Sequence, residues 1–375
     1  MNRLQTLHEA GVALWLDFIE RTMLHDGELE RRIREDSLTG MTSNPSIFEK
    51  ALAEGNAYDA QLHDAAGDLT AMQLFELVAT TDVRDACDRF RGVYDRTNGD
   101  DGYVSIEVSP GVSHDAKATL EEARRLWKAV DRPNAFVKIP GTVEGAEAVR
   151  LAIADGINVN ITLLFALEAH DRVIDAFMSG LEDRVRKNQP IDRIASVASF
   201  FVSRVDTEVD KRLDAVAPSS KLPTPNSLKG RAAIANAKLA YQLFLERFSS
   251  PRWRALEAKG ARVQKPLWAS TSTKNPAYRD VMYVEELIAP RTINTMPPAT
   301  IDAFRDHGNV QRTADQDVDA ARRTLADIER LGISMHDVTD KLLVDGLASF
   351  QKSFDSLIAG LAKKSKQLGR ELAAR

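Results

Sequence analysis

Short apolar runs alternating with helical segments, a total of eight such runs, and the absence of a glycine-rich dinucleotide turn place this 375-residue chain in the α/β class as a (β/α)8 barrel. Alternation of this kind implies parallel pairing through right-handed crossovers, and eight units is the number that closes on itself. An open doubly wound sheet is the alternative architecture. It usually carries G-x-G-x-x-G, which this sequence lacks. A plain barrel takes about 250 residues, so length is left over for additional helices.

In chain order the strand-like runs are Val12 to Phe18, Leu38 to Ser43, Tyr103 to Val108, Ala135 to Ile139, Ile157 to Leu163, Ile194 to Phe201, Val263 to Ser270 and Thr292 to Met296. Helical periodicity fills Asp115 to Val130, Glu144 to Ala154, Ala166 to Arg184 and Ser227 to Phe248. The gaps from Ser43 to Tyr103 and from Phe201 to Val263 exceed one crossover, and each predicts extra helices on the rim. Residues 217–226 hold three prolines among turn formers, an irregular segment that fits either a surface loop or a lid. Farther on, Leu343, Leu347, Phe350, Phe354, Leu357 and Leu361 recur every three to four residues, a long C-terminal helix opened by Ser334 with Asp337 in capping-box spacing. Its apolar face covers the barrel or meets a second copy in a homodimer. The chain thus reads as one domain over residues 1–375, with helical insertions at about 46–100 and 203–260 and a helical extension from about 316.

With 50 basic and 55 acidic residues the net charge is −5, so there is no strong basic field to draw nucleic acid or an anionic membrane. Any anion must be held locally. Glu9, Asp17 and Glu20 interrupt the apolar stretch near the start, and no other window approaches the ~18 uncharged apolar residues of a span. Cys87 is the single cysteine, which excludes an intrachain disulfide or a CxxC site and fits a reducing, cytoplasmic setting. Among the seven histidines none pairs with another at three to five residues, so no zinc helix is visible and no metal is expected.

A (β/α)8 barrel works at the carboxyl ends of its strands, so polar residues ending apolar runs are the candidates. Asp17 follows Trp15-Leu16, Asn44 ends Gly40-Met-Thr-Ser-Asn44, Glu107 lies in Val104-Ser-Ile-Glu107-Val, and Lys138 lies in Phe136-Val-Lys138-Ile-Pro. Asn160 and Thr162 alternate and so share one strand face. A lysine flanked by Phe136, Val137, Ile139 and Pro140 in a short strand faces either a solvated rim, paired with a carboxylate, or the barrel interior. An interior amine would be desolvated and its pKa lowered, as a Schiff-base nucleophile requires. Glu107 ends the preceding strand, close enough to pass protons or to form a plain ion pair. After the seventh run, Ser270-Thr-Ser-Thr-Lys274-Asn275-Pro276 leads into a helical pattern through Ile288, with Asn275 as N-cap and Pro276 at the first helical position. In outline this is a phosphate site or a simple capped helix.

Five ordered motifs give these residues a family likeness. Thr42-Ser-Asn44-Pro-Ser-Ile-Phe48, Phe136-Val-Lys138-Ile-Pro140, Asn158-Val-Asn160-Ile-Thr162-Leu-Leu-Phe165, Ser199-Phe-Phe-Val-Ser-Arg204 and Trp268-Ala-Ser-Thr-Ser-Thr-Lys274-Asn-Pro276 resemble the signatures of the transaldolases, in their longer bacterial form. The likeness runs from about Trp15 to Pro298. It implies a TIM barrel and class I aldol chemistry without metal or organic cofactor. Lys138 would attack the C2 carbonyl of fructose 6-phosphate or sedoheptulose 7-phosphate, and Asp17 would take the C4 hydroxyl proton. Glu107, through a water held by Thr162, would relay protons as the Schiff base forms and breaks. Asn44, Asn160 and Ser199 would hold hydroxyls of the three-carbon unit, and Arg204 with Lys274 would clamp the phosphate, with Ser270 or Ser272 adding a hydrogen bond. Erythrose 4-phosphate or glyceraldehyde 3-phosphate would accept the unit. Shorter members carry Ser-aromatic-Arg-Asn after the seventh strand, and proline and glycine where Phe200 and Ser203 stand here, which leaves both serines open as phosphate contacts. Two other readings compete: a simple aldolase releasing free dihydroxyacetone, and a non-catalytic barrel that binds sugar phosphates.

Overall fold

Parallel strands covered on both faces need near-continuous apolar sequence, and the runs named above supply it. The computed structural model describes residues 2–53, 55–65, 69–216, 224–369 and 372. Among these, eight parallel strands close a barrel in chain order: β1 Val12–Asp17, β2 Leu38–Thr42, β3 Val104–Glu107, β4 Ala135–Pro140, β5 Val159–Leu164, β6 Ser196–Phe201, β7 Lys265–Ala269 and β8 Thr292–Met296. β1 pairs with both β2 and β8, which completes the ring. Every strand boundary lies within two residues of its sequence-based position, and Thr292–Met296 matches it.

Side chains alternate along a strand, so each strand has an interior and an exterior set. Near the amino ends, the interior set includes Trp15, Tyr103 and Phe136: the Tyr103 and Phe136 rings stack at 4.3 Å, and Trp15 lies 6.0 Å from Phe136. Trp15 donates its indole N–H to Asp101 at 2.9 Å. Gly40 faces that ring so closely that a Cβ there would stand 2.5 Å from indole atoms. These aromatics form a packed floor, and the polar residues occupy the level above it.

Helices wrap the outside. Ala116–Val130 buries Leu120, Ala123, Leu126 and Val130 at three to four residue spacing, and its N-cap Asp115 accepts from the Ala118 amide at 3.0 Å. Between β2 and β3 lie helices Pro45–Ala53, Asp59–Ala65 and Ala71–Arg96; between β6 and β7 lie Ser203–Ala215, Pro225–Leu228, Ala232–Arg247 and Pro251–Glu257. The irregular segment foreseen at 217–226 falls outside the described residues through 223, and Thr224 then precedes a short helix.

The 33-residue helix Met335–Gln367 crosses the carboxyl end of the barrel. Ser334 accepts from the Asp337 amide at 3.2 Å, as the capping spacing predicts. Phe350, Phe354, Leu357 and Leu361 are buried within the chain itself. Phe354 meets Phe75 edge-on at 5.5 Å, Phe75 meets Phe48 at 5.7 Å, and Ser46 donates to Ser353 at 2.8 Å. Of the two roles foreseen for this apolar face, the helix adopts the covering one. No helix among the described residues is long and apolar enough to cross a membrane.

Two helical expectations need correction. The run from Ser227 to Phe248 is not continuous: it breaks at Lys229–Arg231, where Gly230 takes φ +70°. The helix expected from Pro276 does not begin there, and only Met282–Glu285 is helical. Tertiary hydrogen bonds explain the second failure. Asn275 Oδ1 accepts from the Ala277 amide at 2.9 Å in a local turn, Tyr278 donates to Asp210 at 2.5 Å, and Tyr283 donates to Asp206 at 2.8 Å.

His170, on the helix Leu167–Arg186, is fully buried against Phe200, and neither ring nitrogen has a hydrogen-bond partner among the described residues. Burial lowers its pKa from 6.5 to about 4. The unfolded chain therefore binds the proton more readily between those values, and stability falls as pH drops through that window. His170→Leu should match the parent above pH 7 or exceed it by a constant amount. Below pH 6.5 the variant's advantage should grow, by roughly 3 kcal/mol at the limit. Urea unfolding from pH 8 to pH 4 reads this, and parallel curves would refute it.

Candidate active site

Register brings the key side chains to one level. Glu107 pairs with Lys138 across β3 and β4, and Lys138 pairs with Asn160 across β4 and β5. Lys138 lies two residues above Phe136 on the same strand face, so it points inward over the aromatic floor. Its residue exposure is only 5%. The amine donates to the Ser43 carbonyl and to Glu107 Oε2, each at 3.2 Å. Ser43 is itself held, donating its hydroxyl to the Ser105 carbonyl at 2.8 Å.

Both carboxyl groups sit above their ordinary pKa. Burial pushes Glu107 up, and the positive charge of Lys138 is the largest opposing effect. Asp17 follows the same pattern, with Thr42 as a further opposing partner. Thr42 donates to Asp17 at 2.8 Å and lies 2.7 Å from the Thr295 hydroxyl, so Thr295 donates to Thr42 and the chain of donors ends on the carboxylate. A raised pKa lets a carboxyl give and take protons closer to neutrality. Glu107 Oε1 and Thr162 Oγ1 are buried without a hydrogen-bond partner among the described residues. Thr162 ends the regular part of β5: its pairing with β6 shifts register between Ile161 and Leu164, where Leu163 takes φ +58°.

Polar groups continue around the interior. Ser199 donates to Asn160 Oδ1 at 2.7 Å, and Asn160 donates to the Ser105 hydroxyl at 3.0 Å. Asn44 Oδ1 accepts from the Ile47 amide at 3.1 Å as the helix Pro45–Ala53 begins. On the far side, Arg204 lies over the Phe201 ring at 5.1 Å, Lys274 donates to Ser272 at 2.8 Å, and Ser270 meets Ser203 at 2.9 Å. Burial lowers the pKa of Arg204 and both carboxylates raise it; an arginine starts so far above neutrality that it stays charged.

One cavity of about 530 Å³ joins these groups, lined by Asp17, Asn44, Lys138, Thr162, Ser199, Arg204, Ser270, Ser272 and Lys274. Glu107 and Asn160 stand just behind the lining and reach it through Lys138 and Ser199. Sequence reasoning missed Thr42, Thr295, Lys50 and Phe350, which share the same wall. Phe350 was legible only as part of an amphipathic stripe. No helix begins at Asn275, but Arg204 lies in the first turn of the helix Ser203–Ala215. A second cavity of about 380 Å³ on the rim, lined by residues including His114, Glu144, Arg172 and His336, contains no lysine. Among the described residues no group of three or more His, Cys, Asp or Glu could hold a metal ion.

An interior amine beside two carboxyl groups, facing a guanidinium and a second amine across a sugar-sized cavity, suits carbonyl chemistry on a small anionic substrate. Comparison with known proteins agrees. The family profile described as Transaldolase/Fructose-6-phosphate aldolase matches residues 14–361. A transaldolase of Frankia alni is 47% identical over 371 residues, covering 98% of each chain. One from Thermobifida fusca is 49% identical over 363 residues, covering 96% of this chain and 98% of the other. One from Trichodesmium erythraeum is 44% identical over 374 residues, again with 98% of each chain covered.

Removing one partner of a buried pair strands the other. In Lys138→Met, Glu107 loses the largest influence holding its pKa down, so the folded variant keeps that proton above the ordinary 4.5. Stability should then be greatest below pH 4.5 and fall as pH rises. Adding Glu107→Gln should reduce the slope, leaving the part that Asp17 contributes. Unfolding midpoints at pH 4.5, 6 and 8 test this, and an equal slope in the single and double variants would refute it.

Proposed function

The chain belongs to the transaldolase/fructose-6-phosphate aldolase family and is a transaldolase, a transferase acting on sugar phosphates, and from that premise we propose that Lys138 is its nucleophile. The contact of its amine, in the cavity shared with Asp17 and Arg204, with Glu107 just behind the lining carries this reading.

Glu107 takes a proton from the Lys138 ammonium, and the freed amine adds to C2 of a ketose phosphate, fructose 6-phosphate or sedoheptulose 7-phosphate, to give a carbinolamine. Glu107 hands a proton, through a water held by Thr162, to the departing hydroxyl, leaving an iminium on Lys138. The two buried oxygens of Glu107 and Thr162 that lack partners support this relay. Asp17 takes the proton of the C4 hydroxyl, the C3–C4 bond breaks, and its electrons flow to the iminium nitrogen. The products are an aldose phosphate and a dihydroxyacetone enamine still bonded to Lys138. A second aldose phosphate, glyceraldehyde 3-phosphate or erythrose 4-phosphate, then enters. Enamine C3 attacks its carbonyl carbon, Asp17 returns the proton to the new hydroxyl, and water releases the lengthened ketose.

Asn44, Asn160 and Ser199 hold the hydroxyls of the three-carbon unit, while Arg204, Lys274 and Ser270 or Ser272 bind the phosphate. The planar fork of Arg suits a phosphate, and remote binding of that kind orients the reacting carbons. The iminium supplies the electron sink for bond breaking.

Borohydride added with fructose 6-phosphate should fix a three-carbon adduct on the peptide containing Lys138, and mass spectrometry finding it on another lysine would refute the assignment. Lys138→Ala should lose turnover while keeping its far-UV dichroism. Arg204→Ala should raise KM for fructose 6-phosphate by at least about tenfold, equivalent to roughly 1.4 kcal/mol, and leave trapping with free dihydroxyacetone nearly unchanged. Equal loss with both would show that Arg204 does not serve the phosphate.

A further inference from the structure

The long helix that crosses the barrel end brings one side chain into the cavity, and it is apolar. The Phe350 ring centroid lies 5.9 Å from the Lys138 amine, and the residue is 5% exposed. The same helix turn is fixed on both sides. Gly346 lies so close to β5 and to the phosphate end that a Cβ there would stand 3.0 Å from Leu163 and 3.5 Å from Arg204. Ser353 accepts from Ser46, and Phe354 packs on Phe75. Phe350 is therefore held where a mobile side chain would be free to swing away.

The cavity lining mixes apolar and polar side chains, and its polar members Asn44, Ser46, Thr162 and Ser199 could each hold water. A ring at that distance does the opposite, covering one side of Lys138 with a surface that offers water no hydrogen bond. We propose that Phe350 directs the fate of the enamine, favouring transfer to an acceptor over hydrolysis by denying water an approach to the bound three-carbon unit. This rests on the reading of Lys138 as the nucleophile.

The competing path balances with water alone. Enamine C3 takes a proton, which restores the iminium of dihydroxyacetone; water adds at C2, the C2–nitrogen bond breaks, and free dihydroxyacetone leaves while the amine recovers its proton. Transfer differs only in that C3 bonds to an acceptor carbonyl carbon in place of the proton. Both paths end with water at C2, so it is delivery of a proton to C3 by water reaching the enamine that sets the ratio of the two outcomes.

The test compares Phe350→Ala and Phe350→Leu with the parent, using fructose 6-phosphate with and without erythrose 4-phosphate. Free dihydroxyacetone and sedoheptulose 7-phosphate are both quantified. The ratio of dihydroxyacetone released to unit transferred should rise at least about tenfold in Phe350→Ala and less in Phe350→Leu, with borohydride still trapping the unit on Lys138. A merely structural role would lower both products together and leave the ratio within about twofold of the parent, which would overturn the proposal. If the alanine variant does not fold, the leucine variant is decisive: an unchanged ratio overturns the proposal and a raised one supports it. Failure of the parent to be trapped on Lys138 would instead sink the nucleophile assignment, so the two failures are distinguishable.

Discussion

The hydrogen bond between the Lys138 amine and Glu107, at 3.2 Å inside a closed barrel, is the contact around which the rest of the molecule is organised. An ammonium and a carboxylate withdrawn from water lose several kcal/mol of hydration each, and their mutual attraction seldom returns more than that. Such a pair adds little to folding stability. Its presence at the carboxyl level of the strands points to chemistry, and the surrounding structure has to tolerate it. Barrel closure does so by fixing Glu107, Lys138 and Asn160 side by side in adjacent strands, so that neither charge can turn outward.

The interior is divided along its axis. Below, Trp15, Tyr103 and Phe136 are packed as tightly as any core, with Gly40 admitting the indole. Above, hydroxyl, amide and carboxyl groups bond to one another in short chains, from Thr295 through Thr42 to Asp17 and from Ser199 through Asn160 to Ser105. Each such chain fixes the orientation of its members without adding charge, and the first ends on Asp17. The cationic side chains of Arg204 and Lys274 line the same cavity as Lys138 and make it a positive environment for an anion.

Most of this was legible in the sequence, for a physical reason. A parallel barrel strand is apolar on both faces, so a lysine or glutamate within one is conspicuous, and Lys138, Glu107 and Asp17 were found that way. Thr42 and Thr295 were harder, since threonine is an ordinary strand residue. Contacts made across long chain separations were not legible at all. The break at Gly230 and the turns after Asn275 depend on Tyr278 and Tyr283 reaching Asp210 and Asp206 on another helix. Helical periodicity also identified the stripe containing Phe350, but periodicity reports only that a face is covered and not what it covers. His170 shows the same limit: nothing local distinguishes a histidine buried against Phe200 from one in solvent.

The helix Met335–Gln367 follows every strand of the barrel in the chain. Synthesis therefore makes the strands that carry Lys138, Glu107 and Asp17 before the segment that covers them. Until that helix docks, the Lys138 amine lies uncovered on the side where Phe350 stands in the folded chain. Docking of Met335–Gln367 is thus the folding step that closes this wall of the cavity.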